Sequence, residues 1–256
     1  MPRSCVFCNS PATSKEHIWP NWAARHISPS APVDHYLNVV EEGWLDTDRS
    51  WPQKQFTMTV RAVCETCNNG WMAELEGHVK PFFEAALDGQ ADVLSVDLQR
   101  DLAAWALKTL MMVESQQSPD APVIPPEEDA YVYANGEPSS SVRVWMATYT
   151  GAVSTAVGHI YAGDVTLGGD TTTHGSLWGG TIVFGPVLFK LLGSNLPDLL
   201  ASADLDAPSV HQLWPPDRVF TWEQQPGFDD TALPVFMDWF LAGNLVEPAR
   251  RARKLP

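Results

Sequence analysis

The stretch Cys64-Glu65-Thr66-Cys67-Asn68-Asn69-Gly70-Trp71-Met72 decides the fold of this 256-residue chain. Its Cys-x-x-Cys spacing puts two sulfurs on one tight turn, and the chain's two other cysteines, Cys5 and Cys8, have the same spacing. Two such pairs can complete a tetrahedral shell of four sulfurs, which is the geometry of a structural zinc site. The sequence therefore predicts a structural Zn²⁺ held by Cys5, Cys8, Cys64 and Cys67, with free buried thiols as the alternative.

Composition limits the classes of protein to which the chain can belong. A hydrophobic content of 45% allows a sizeable core, and no apolar run is long enough to span a membrane. The N-terminus lacks the apolar segment of a signal peptide, so we expect a cytoplasmic protein with reduced thiols and no membrane partner. The net charge of −15 opposes nonspecific nucleic-acid binding. Most of the excess negative charge lies beyond residue 80.

Hydrophobic patterning predicts an α+β protein. Apolar residues at three- and four-residue spacing predict a helix over 96–115, and shorter helices are expected at 21–27, 71–79, 81–87 and 233–241. Alternating and β-branched runs predict strands at 36–40, 54–63, 131–133, 142–149, 156–161, 177–184 and 187–192. Residues 41–52 are polar and predict a loop, and the proline-rich segment 118–129 predicts a linker. We expect two domains, a zinc-binding module over 1–80 and an α+β domain with an antiparallel sheet over 90–256.

A second motif, Glu16-His17-Ile18-Trp19-Pro20, lies between the cysteine pairs. Together with Cys-x-x-Cys-Asn-Asn-Gly-Trp, it resembles the zinc-knuckle branch of the HNH endonuclease family over residues 1–80. The resemblance implies a ββα-metal fold that hydrolyses phosphodiester bonds in nucleic acid, with DNA as the expected partner. It implies that His17 is the general base, and that Glu16 and Asn68 hold a catalytic Mg²⁺ or another divalent ion. By analogy with that family, the C-terminal domain is expected to select the target or hold a partner, an arrangement frequent in bacterial and phage conflict systems.

The chain departs from the family pattern at two positions. Many members carry an asparagine that orients the catalytic imidazole where this chain has Thr59, and Asn38 is the alternative that the sequence offers. Many members also carry a lysine where this chain has Trp71. These departures leave open a catalytically inactive zinc-knuckle protein that binds a protein partner through its acidic C-terminal domain.

Two other interpretations of the sequence remain. The second predicted domain, which contains six of the eleven tryptophans, can instead carry a small-molecule pocket, with the knuckle as a scaffold. Among the other histidines, His78 lies close enough to the motif to be a spare metal ligand. The rest are expected to be structural: His26, His35, His159, His174 and His211.

Overall fold

The computed structural model describes residues 3–27, 33–41, 44–53, 55–90, 92–117, 122–153, 155–167, 173–203, 209–223 and 227–237. For 33–53 and 158–167 the description covers the backbone alone. The chain is a mixed α+β protein with antiparallel sheets, as its composition and patterning predict.

The N-terminal part is built on a pair of short strands that are distant in sequence. Strand β1 (Ser14–His17) pairs antiparallel with β4 (Thr59–Val63). Strand β4 leads through Cys64 into the short helix α1 (Glu65–Cys67), a π-helical turn (Asn68–Met72) and helix α2 (Ala73–Leu87). A 3-10 helix (Asn21–Arg25) follows β1, where an ordinary helix is predicted over 21–27. Both cysteine pairs therefore lie towards the same end of this strand pair, where Ser14 pairs with Val63.

Residues between β1 and β4 form a hairpin, so the predicted loop over 41–52 is wrong. Strand β2 (Val33–Glu41) pairs antiparallel with β3 (Trp44–Gln53). The polar composition of β3 favours a loop, but pairing with β2 satisfies its backbone groups. The predicted strand over 54–63 is shorter, because residues 55–57 form a 3-10 turn before β4.

Helix α2 runs unbroken through Pro81, where the sequence predicts one helix ending and another beginning. A proline inside a helix removes one backbone hydrogen bond. The buried side chains Val79, Phe82 and Phe83 flank Pro81, and their packing offsets that loss. Tertiary packing therefore keeps α2 continuous at the position where the sequence predicts a break.

Helix α3 (Val96–Gln117) is the central element, and it confirms the strongest helix prediction. It follows the short strand β5 (Asp92–Leu94). Every residue from Leu102 to Glu114 is buried, as expected of a helix enclosed on all sides. Its neighbours include α2, β4 and a larger sheet.

Helix α4 (Pro126–Asn135) replaces the strand predicted at Tyr131–Tyr133 and part of the predicted linker; residues 118–121 lie outside the described ranges. Pro126 is its first residue, and acidic side chains in the first turn favour a helix N-terminus. Gly136 ends it in the left-handed conformation, with φ of 70°. These end signals outweigh the β propensity of two tyrosines and a valine.

The second half contains a five-stranded antiparallel sheet in the order β10-β6-β9-β8-β7. Its strands are β6 (Val142–Thr148), β7 (Thr155–Leu167), β8 (Thr173–Phe184), β9 (Val187–Ser194) and β10 (Val210–Trp214). Four of them coincide with predicted strands. Helix α5 (Pro197–Ser202) lies between β9 and β10, and β11 (Phe220–Trp222) pairs with β5. Helix α6 (Leu233–Met237) covers the first half of the helix predicted at 233–241, and 238–241 lie outside the described residues.

Buried side chains form two clusters, one on each face of this sheet. The larger cluster extends from Cys5 through α2 and α3 to Trp222, and the smaller one joins the opposite face to α5 and α6. Residues of both predicted domains thus share the larger cluster, while the division at 80–90 stays a prediction. None of the helices in the described ranges combines the length and apolar character that a bilayer span requires.

Candidate functional site

The four cysteines converge, as their spacing predicts. Their sulfur atoms all lie within 4.8 Å of one another, and Cys8 Sγ is 3.5 Å from Cys64 Sγ. Sulfurs that share one Zn²⁺ at about 2.3 Å would be roughly 3.8 Å apart in a tetrahedron. Three cysteines are buried and Cys8 is partly exposed, with no disulfide among them. The quartet can hold a metal ion such as zinc.

Local backbone geometry presents these sulfurs to a common centre. After Cys8, Asn9 adopts a left-handed conformation with φ of 60°, and Cys5 N donates to Ser10 O at 2.6 Å, which closes the first turn. In the second turn Cys67 N donates to Cys64 Sγ at 3.4 Å. Hydrogen bonds from Ser10 lower the pKa of Cys8 to about 6, whereas burial raises the pKa of Cys5 and Cys67. A bound cation favours the thiolate form of all four.

Glu16 points into the protein interior. Its Oε1 accepts a hydrogen bond from Lys108 Nζ of α3 at 3.3 Å, and its side chain is 10% exposed. Among the described residues, no side chain donates to its second oxygen, Oε2. The carboxylate therefore has one oxygen engaged in an ion pair and one available to a ligand.

His17 is half-buried beside Glu16, on the opposite face of β1 because successive strand residues alternate. Its pairing partner across the strands is Thr59, the position where the family pattern places an asparagine. The side chain nearest its ring nitrogen is instead Asn21, whose Nδ2 is 3.4 Å from His17 Nδ1. Asn38, which the sequence offers in place of Thr59, lies in β2, where the structure describes the backbone alone. Asn21 was missed because it comes from the 3-10 helix that follows β1.

Asn68 connects the second cysteine pair to β1. Its Nδ2 donates to Ser14 Oγ at 2.7 Å and to Lys15 O at 3.4 Å. These bonds hold its side chain against the strand that carries Glu16 and His17, and they leave the amide oxygen Oδ1 as the atom able to bind a cation. Asn68 is thus held against β1 at Ser14 and Lys15, the two residues that precede Glu16.

Trp71 packs between the first cysteine turn and α4. Its ring is edge-on to Phe7 at a centroid distance of 4.9 Å and lies 6.2 Å from Tyr133. The aromatic side chain therefore braces the two halves of the knuckle, in the place where many family members carry a cation. Leu75, one turn further on, is buried.

Two further charged residues near Glu16 escaped the sequence analysis. Lys108 is 1% exposed and belongs to the predicted second domain. Glu76 of α2 accepts a hydrogen bond from Trp22 Nε1 at 3.0 Å. Burial raises the pKa of Glu76, while the charge of Lys108 acts in the opposite direction. The signal for both was a charged residue on the apolar face of an amphipathic helix, which alone does not identify a partner.

The remaining histidines in the described side chains do not join the site. His78 is 67% exposed and pairs with Asp101 of α3 at 3.2 Å, so it is not a ligand of the cysteine cluster. His26 lies near Glu84, and His211 stacks on Phe220. Within the described ranges, the cysteines are the single group of three or more His, Cys, Asp or Glu residues close enough to share an ion.

Comparison of this chain with models of protein families, with curated protein sequences and with solved structures gives no match.

Proposed function

We propose that the protein is a metal-dependent endonuclease of the HNH type, which hydrolyses phosphodiester bonds in DNA and carries a structural zinc. In this proposal Cys5, Cys8, Cys64 and Cys67 bind the zinc. The residues that act on the nucleic acid are His17, Glu16 and Asn68.

The observation that carries the proposal is the way one strand pair brings the motifs together. Strand β1 bears Glu16 and His17, and it pairs with the strand that runs directly into Cys64. The amide of Asn68 then returns to β1 through its bond to Ser14. This order of strand, strand and helix supports the proposal.

The proposed reaction is the attack of water on a phosphodiester. The imidazole of His17 accepts the proton of the water, whose oxygen bonds to phosphorus while the bond from phosphorus to the leaving oxygen breaks. Asn21 fixes the orientation of the ring. Oε2 of Glu16 and Oδ1 of Asn68 would hold a divalent ion, consistent with the few protein ligands that Mg²⁺ takes beside substrate phosphates. When bound, that ion neutralises charge on the phosphate and the leaving oxygen.

A plasmid-nicking assay with Mg²⁺, Mn²⁺ or Ni²⁺ tests this proposal. We expect metal-dependent nicking by the purified protein and a loss of at least about 100-fold in His17→Ala, since a positioned general base contributes that much or more. The fold should persist in this variant, because its zinc ligands are intact.

The matched control is His78→Ala, which removes an exposed imidazole that lies outside the site. It should nick DNA at the wild-type rate. Wild-type activity in His17→Ala would show that the assignment of the base is wrong.

A second candidate function is a zinc-knuckle protein without catalysis that binds a basic protein partner. The net charge of −15 and the ion pair that engages Glu16 favour it. Absence of nicking with any ion, by a folded protein with one bound zinc, would support this candidate over the nuclease.

A further inference from the structure

Lys108 is a fully buried lysine that reaches from the central helix α3 to the strand bearing the proposed catalytic residues. Its side chain is 1% exposed, and its Nζ donates to Glu16 Oε1 at 3.3 Å. In sequence the two residues are 92 positions apart. The predicted second domain therefore contributes a charge to the proposed site.

A buried ion pair of this kind is expected to add little to the free energy of unfolding. Removing an ammonium and a carboxylate from water costs several kcal/mol each, and apolar residues of similar size often serve a core equally well. The positions around Lys108 on α3 are apolar or small: Trp105, Ala106, Leu107, Thr109 and Leu110. A methionine or leucine would fit that pattern.

The neighbouring acid, Glu76, has a donor of its own. Trp22 Nε1 donates to Glu76 Oε1 at 3.0 Å, whereas Lys108 Nζ donates to Glu16 Oε1. The carboxylate of Glu16 is thereby fixed at Oε1 while Oε2 accepts no hydrogen bond from the described residues. A carboxylate held at one oxygen and open at the other is typical of a metal ligand oriented by an outer residue.

We propose that Lys108 is the positioning residue of the cation site, which holds Glu16 through Oε1 so that Oε2 can bind the divalent ion. This proposal rests on the proposed nuclease function. Lys108 acts through Glu16 and touches neither the ion nor the nucleic acid.

The test combines cleavage with direct ion binding. The concentration of Mn²⁺ that gives half the maximal nicking rate is measured for wild type, Lys108→Gln and Lys108→Arg, and bound Mn²⁺ is measured by electron paramagnetic resonance. Outer partners of metal ligands typically contribute 10- to 100-fold to affinity or activity. We therefore expect Lys108→Gln to raise the half-saturating Mn²⁺ concentration about 10-fold or more in both measurements. Lys108→Arg keeps the charge and the donors, so its half-saturating Mn²⁺ concentration should lie between those of wild type and Lys108→Gln.

Lys80→Gln is the matched control, since Lys80 is a half-exposed lysine of α2 paired with Glu84. It should leave both measurements unchanged. A double-mutant cycle with Glu16→Gln gives the second readout: once Glu16 is changed, Lys108→Gln should add no further loss. The double variant also removes the carboxylate that Lys108→Gln alone leaves without its ion pair, so it serves as the reference if Lys108→Gln alone unfolds.

The outcomes separate this inference from the function on which it rests. If wild type nicks DNA and Lys108→Gln lowers only the melting temperature, with its Mn²⁺ dependence unchanged, Lys108 is structural and the inference is overturned. An extra loss in the Glu16→Gln background also overturns it, because Lys108 would then act independently. If wild type neither nicks DNA nor binds Mn²⁺, the proposed function fails and this inference falls with it.

Discussion

Glu114 is a carboxyl whose burial disfavours its ionised form. It lies near the end of α3, is 6% exposed, and accepts backbone hydrogen bonds from Val123 and Ile124 at Oε1. Burial raises its pKa to about 7. Burial and the charge of Glu114 raise the pKa of neighbouring Asp129 to about 8.

These raised pKa values predict a loss of stability as pH rises. The folded protein retains the Glu114 proton that the unfolded chain releases near pH 4.5, so stability falls between pH 4.5 and about 7. Glu114→Gln keeps an oxygen for the two backbone donors and removes the charge. We expect it to raise the free energy of unfolding at pH 8 by about 2 kcal/mol, with a much smaller effect at pH 5.

Urea unfolding at both pH values measures this difference. Glu74→Gln, a substitution at an exposed position of α2, is the control and should behave as wild type at each pH. An equal effect of Glu114→Gln at pH 5 and pH 8 would contradict the prediction.

The residues that contact the motif residues were the least predictable feature of the site. The motif assigned roles to Glu16, His17 and Asn68, and those roles stay a prediction. Lys108 could not have been assigned to Glu16, because only the folded chain brings α3 beside β1. Asn21 was equally hidden, since a 3-10 turn rather than a helix places it near the imidazole.

At the scale of elements, the cysteine knuckle joins a strand pair to a helix. Cys64 ends β4 and caps α1 through Cys67 N, so its sulfur serves both the cluster and the helix start. Structural zinc supplies much of the folding free energy of small modules. Cys64→Ser is therefore expected to lose the metal and to disrupt β1, β4 and α2.

Zinc content by mass spectrometry and thermal melting followed by circular dichroism measure this loss. Thr66→Ser is the matched control, because Thr66 is exposed within the same turn. A soluble Cys64→Ser protein with unchanged zinc content and melting temperature would contradict the four-sulfur site.

Elements with strong periodicity could be predicted, and those decided by their ends or by distant partners could not. Helix α3 and strands β6, β8 and β9 have apolar patterns long enough to identify them. The tyrosines of α4 favour a strand locally, whereas its helix is specified by Pro126 and Gly136 at its ends. Strand β3 has a polar pattern and depends on pairing with β2.

At the scale of the whole molecule, the two halves meet on an aromatic cluster. Phe184 of β8 contacts Trp19, Trp22 and Phe83 of the N-terminal part, at centroid distances of 5.9, 5.9 and 4.8 Å. It also contacts Trp105 of α3 at 5.4 Å. The strand pair with the cysteines is thus supported by the sheet of the second half.

This shared cluster predicts that metal release and sheet unfolding are coupled. Phe184→Ala should destabilise the protein by about 3–5 kcal/mol, as expected for a large core truncation. Urea titrations that follow both zinc release, with a chromogenic chelator, and loss of sheet structure should shift to lower urea together. An unchanged midpoint for zinc release would show that the N-terminal module is stable on its own.

The order of synthesis gives the shared cluster a further consequence. Phe184 follows Cys67 by 117 positions in the chain, and translation proceeds at about 5–20 residues per second. All four cysteines are therefore synthesised roughly 6–23 s before the strand that covers Trp19 and Trp22 has been made. During that interval the growing chain exposes Trp19 and Trp22, which makes it a client for chaperones until the sheet closes over them.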